Sequence, residues 1–216
     1  MALRTHVIKA MFKRNLLSFF NSPGAYVFIT IFIVACSVFQ FSWDQRFYLN
    51  NMAELTILNY YYPYLLLFFI PVITMNVWSE EKKLGTEEYL LTLPATDLEV
   101  TLGKYIAVLC TYSVSLLFSL TLVVFLNSLA EPDWGLIFAN YLAYFTLGAS
   151  MLSLGMVASL LTKNSTVAFI LALVFNSALM FSSFLTTAYE LLPIPQSTIE
   201  FLQQIGFNDK GGMLNH

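Results

Sequence analysis

Two histidines, His6 and His216, and two cysteines, Cys36 and Cys110, are the whole stock of soft metal ligands in this 216-residue chain. They are too few and too scattered for a zinc site. Both cysteines fall in apolar runs and read as small fillers. Neither histidine lies in such a run, which excludes an intramembrane haem held by histidine. No serine inside the runs has a histidine or lysine to activate it, so an intramembrane serine protease is excluded as well. Gly103-Lys104 has Leu98 where a phosphate-binding loop needs its first glycine, so the chain carries no ATPase motif of its own. No carboxylate stands in mid-run, where a proton-driven carrier would need one. Catalytic residues and metal ligands: none. What remains is one dense run of charge from Glu80 to Glu88.

That run has the makings of a docking element. Gly85 supplies a turn, and Thr86 is a good N-cap, with Glu87 and Glu88 against the positive end of the helix dipole. Leu90, Leu91 and Leu93 give the short helix an apolar side, and Pro94 ends it. Thr96 and Glu99 then have the spacing of a capping box that launches the next helix. A short, capped, acidic and amphipathic helix is suited to seating on another protein.

The elements that must carry this segment follow from composition. Hydrophobic residues make up 58% of the chain and charged ones only 11%, against roughly 25% charged in soluble domains. Five charge-free runs, 15–43, 55–79, 105–130, 134–162 and 164–189, are each 25 to 29 residues long. A helix needs roughly 20 residues to cross the hydrocarbon core. The fold expected is all-α: a polytopic membrane protein with five transmembrane helices. A net charge of −3 with no basic run leaves no footprint for nucleic acid. Residues 3–20 read as an amphipathic helix on the membrane face, although Arg4 and Arg14 fall off its polar side. The first 23 residues form this interfacial element, not a signal peptide. The Asn21-Ser22-Pro23-Gly24 turn is expected to redirect the chain into the first span.

Eight basic residues (Arg4, Lys9, Lys13, Arg14, Lys82, Lys83, Lys104, Lys163) fall on one side of the predicted spans, and only Arg46 and Lys210 on the other. The bias puts the amino terminus and the 80–104 loop in the cytoplasm. Residues 24–189 then hold the five spans, and 190–216 form an external flap and tail with a short helix at 199–205. Within the spans, Pro71 must free a carbonyl, and Asn76 lies one turn from the inner surface, so this helix either lines a pathway or is kinked against a neighbour. Ala149/Ser153 and Gly155/Ser159 are small-xxx-small pairs, read as core packing with a subunit interface as the alternative. Asn176, mid-span, is read as a staple between helices, with substrate contact as the alternative.

The string Glu81-x-x-x-Gly85-Thr86-x-Glu88-x-Leu90-Leu91-x-x-Pro94, followed by Glu99-x-x-x-Gly103-Lys104, resembles the first cytoplasmic loop of type-2 ABC permeases. More closely, residues 1–209 resemble one permease domain of gliding-motility-type bacterial ABC exporters. The resemblance implies that Glu80, Glu81, Gly85, Thr86, Glu88 and Pro94 form a coupling helix seated in a separate ATPase subunit. ATP and magnesium would be bound there, and this chain would bind no cofactor. It implies a second permease subunit, identical or similar, and placement in the bacterial inner membrane. The family normally has six spans, and this chain reads as five with none after the fifth before His216, so a fragment, a truncated gene or a true absence of the sixth span is expected. A non-transporting membrane scaffold whose loop recruits a cytoplasmic partner is the alternative function.

Overall fold

Long charge-free runs must satisfy their own backbone groups in a bilayer, and helices do this within one segment. In the computed structural model, which describes residues 4–41, 56–87, 95–129 and 133–181, every regular element is a helix. These are α1 (Thr5–Phe20), α2 (Pro23–Phe41), α3 (Thr56–Thr74), α4 (Asn76–Leu84), α5 (Asp97–Leu129), α6 (Trp134–Leu160) and α7 (Ser165–Met180). Pro23–Gln40, Leu58–Leu84, Asp97–Asn127 and Trp134–Leu160 are long and apolar enough to span. The protein is a polytopic helical membrane protein. The fifth expected span appears as α7, whose 16 described residues cover about 24 Å; residues 182–189 lie outside the described part. So do Glu88, Pro94, the helix expected at 199–205 and the tail.

Helix ends follow local chemistry. The capping box forms: Thr96 N–H donates to Glu99 Oε2 at 3.0 Å, and Glu99 N–H to Thr96 Oγ1 at 3.4 Å. Asp133 Oδ1 accepts from Gly135 N–H, and Asn164 Oδ1 from Thr166 N–H, at the starts of α6 and α7. Pro23, expected in a turn, instead opens α2, where its missing N–H loses no hydrogen bond. The turn shortens to Asn21 and Ser22.

Four residues after Pro71 the helix is interrupted at Met75, and α6 fills the gap. Ser159 Oγ accepts from the N–H groups of Trp78 (3.0 Å) and Ser79 (3.2 Å) and donates to the carbonyl of Met75 (3.0 Å). It caps α4 from a neighbouring helix, satisfying donors the interruption orphans. One turn earlier Gly155 permits this, since a Cβ there would sit 2.4 Å from Thr74 Oγ1. Gly148 likewise lies against the Tyr112 ring, 2.3 Å from where its Cβ would be. These small residues therefore serve the core of one subunit, whereas Ser153 is exposed.

The core lies among α2, α3, α5 and α6. Tyr62 stacks on Tyr144 at 3.8 Å, and Phe32 meets Tyr62 and Phe69 edge-on. Its hydroxyls and amides are joined: Tyr62 to Tyr112 (3.0 Å), Tyr112 to the Tyr144 carbonyl (2.8 Å), Tyr144 to Asn59, and Asn59 to Asn140 (3.2 Å). Asn176, expected to staple helices, is buried where α7 packs on α6 and α3. Neither atom of its amide finds a hydrogen-bond partner among the described residues.

Candidate functional site

The site is built where α1 crosses the start of α5. Glu99, buried by that crossing, does more than close its own capping box: its Oε1 also accepts from the backbone N–H of Arg4 at 2.5 Å. One carboxylate thus caps two helix beginnings, where anionic oxygen is favoured twice by the dipoles. One turn on, Gly103 lets α1 approach to backbone contact. A Cβ there would stand 2.7 Å from Met11 Cβ and 3.0 Å from the Ile8 carbonyl. The 33 residues of α5 extend about 50 Å, well over a bilayer core of ~30 Å.

Lys104 follows Gly103 and turns into the bundle. Its side chain is 0% exposed, and its ammonium donates to the Val77 carbonyl at 2.7 Å and to Glu81 Oε2. It also stands 3.6 Å from the centre of the Trp78 ring, so the cation has a π face as well as an anion. The other oxygen of Glu81 accepts from Arg14 of α1 at 2.6 Å. Glu81 is the hub. Through it α4 is tied to α1 on one side and to α5 on the other.

Beyond Glu81 the chain leaves the helix. Gly85 caps α4 with φ +70°, a left-handed conformation that glycine adopts freely and other residues rarely do. Thr86, expected to cap the following helix, turns its hydroxyl back to the Glu81 carbonyl at 3.3 Å. It thereby satisfies the end of α4; the donors it would cap ahead lie at 88 and 89, outside the described residues. Lys82 pairs with Glu87 at 3.6 Å. Glu80 is exposed and has no ion pair among the described residues. Of the predicted residues, then, Glu80, Glu81, Gly85 and Thr86 share one end of the bundle. Asn76 lines a cavity beside them, while Pro71 and Asn176 are buried deeper.

Sequence reasoning missed Arg14, Lys104 and Ser159 as parts of this assembly. The two recognisable strings, one opening at Glu81 and the other closing on Gly103-Lys104, meet here in space through Glu81 and Lys104. Contacts from Arg4 to Glu99, Arg14 to Glu81 and Ser79 to Ser165 gather the basic segments at one end of the molecule.

Residues 45–207, about three quarters of the chain, match the family described as ABC-2 family transporter protein. The chain belongs to the ABC-2 transporter family. The match runs from before α3 to beyond α7, so it includes both strings and the hub that joins them. Neither a curated protein nor a solved structure matches the chain. As an ABC-2 protein it is a multi-pass membrane component of an ABC transporter, a permease subunit, and works with an ABC ATPase.

Proposed function

We propose that this ABC-2 permease belongs to an exporter and couples to a separate ATPase through the segment from Glu80 to Pro94. The observation that carries the reading is the hub at Glu81. A displacement of that segment by a partner acts on α1 through Arg14 and on α5 through Lys104. Packed elements of this kind shift as units, so nucleotide-driven closure at the loop would rearrange the helix bundle and give alternating access. The ATPase would hold ATP and magnesium, and a second permease subunit would complete the pathway. The gliding-motility type is the proposed kind of exporter, and the bacterial inner membrane the proposed location.

The basic end is proposed to face the cytoplasm, in keeping with the charge bias. Cysteines introduced one at a time into a Cys36/Cys110-free background test this in whole cells. Glu131→Cys is expected to react with an impermeant thiol reagent and Lys83→Cys to stay protected; the reverse pattern overturns the orientation. The docking itself is tested by copurification of the ATPase. Gly85→Val and Glu88→Lys are both expected to lose it while inserting normally, the first through the turn and the second through charge.

A further inference from the structure

A cavity of about 650 Å³ opens at the basic end between α1, α2, α3–α4 and α5, within the roughly 300–1,000 Å³ range of small-molecule sites. Its lining is mixed: Arg14, Asn76 and Glu80 are polar, and Phe28, Ile73 and Val108 apolar. Along α3–α4, Glu80 comes seven positions after Ile73, a rise of about 10 Å. A cavity polar at one end of this rise and apolar at the other suits one amphiphile.

The groups left unspent at the mouth define its head. The Arg14 guanidinium gives Glu81 a single contact at 2.6 Å and is 49% exposed, so most of its five donors are open. Glu80 carries a carboxylate with no ion pair, and Asn76 makes no side-chain hydrogen bond, among the described residues. Lys104 and Glu81 neutralise each other. What is offered to a ligand is thus one cation, one anion and an amide, which suits a head bearing both charges. Guanidinium is the side chain best fitted to a phosphate, and the carboxylate would take an ammonium.

We propose that this cavity binds a zwitterionic phospholipid from the adjacent leaflet, phosphate on Arg14, ammonium on Glu80, and acyl chain among Phe28, Ile73 and Val108. The site needs the membrane placement alone. It does not need the ATPase, so its test succeeds or fails separately from the coupling.

The test uses the full chain in vesicles of equal phosphatidylethanolamine and phosphatidylglycerol, each supplied in turn with a photoreactive acyl chain, and maps crosslinks by mass spectrometry. Crosslinks in the segments around Phe28, Ile73 and Val108 are expected to favour phosphatidylethanolamine by about tenfold, the scale of one charge-assisted contact. Arg14→Ala should remove most of this labelling, and Glu80→Gln should bring the two lipids level. Lys13→Ala, which changes a basic residue of α1 outside the cavity, should leave the preference intact. Because Glu80 is exposed, its variant keeps the test open even if Arg14→Ala fails to fold. Equal labelling by both lipids in the parent, or an unchanged preference in Glu80→Gln, overturns the proposal. So does full competition by soluble glycerophosphoethanolamine, which would show that the head binds without the chain.

Discussion

Glu81→Leu is expected to destabilise the bundle by about 3–5 kcal/mol, because it leaves the Lys104 ammonium buried with no anion. The Val77 carbonyl and the Trp78 face remain, but neither neutralises a full charge. Arg14→Gln should cost far less, roughly 0–1 kcal/mol, since Arg14 is half exposed and water can take the place of the lost contact. The double variant Glu81→Leu/Lys104→Met removes both charges together. It should recover most of the lost stability, as apolar replacements of buried pairs commonly do. Thermal unfolding in detergent, followed for the three variants and the parent, checks the order. Equal losses for Glu81→Leu and the double variant would mean that Lys104 is not held by Glu81.

Gly103→Leu should detach α1. The new side chain would begin 2.7 Å from Met11 Cβ and 3.0 Å from a backbone oxygen, and backbone cannot swing aside as a long side chain can. Overpacking costs typically about 1–3 kcal/mol, and here the easiest relief is for α1 to lift. That movement would also pull Arg4 from Glu99 and Arg14 from Glu81. Met11, on the buried face of α1, reports it. In a background free of native cysteines, Met11→Cys should be protected from thiol reagents, and Met11→Cys/Gly103→Leu should be labelled. Equal protection in both would show that α1 is held elsewhere.

Some of this assembly was legible in the order of residues, and the division has a physical cause. The spans, the Thr96–Glu99 box and the turn at Gly85 rest on contacts within one element, so local spacing was enough to find them. Gly155 and Ser159 announced a close approach, but not that Ser159 would cap an interrupted helix 80 residues away. The triad was hidden for the same reason: Arg14, Glu81 and Lys104 come from three segments, and no periodicity links them. Its one trace was an apparent defect. Arg14 spoils the amphipathic pattern of residues 3–20, and its guanidinium fastens α1 to Glu81, whereas Arg4 reaches Glu99 through its backbone N–H. Asn176 went the other way, since a buried amide suggested a partner that the described residues do not supply.

Coupling through the Glu80–Pro94 segment is read out by ATP hydrolysis in the reconstituted permease–ATPase complex. Gly85 is the position to change. A Cβ there meets nothing within 4 Å, yet the backbone holds φ +70°, so a substitution alters the turn without a clash. Valine resists that conformation by about 1–2 kcal/mol or more, whereas asparagine tolerates it. The permease is expected to stimulate the ATPase, Gly85→Val to lose the stimulation at unchanged thermal stability, and Gly85→Asn to keep most of it. Stimulation by Gly85→Val equal to the parent's would contradict coupling through this segment.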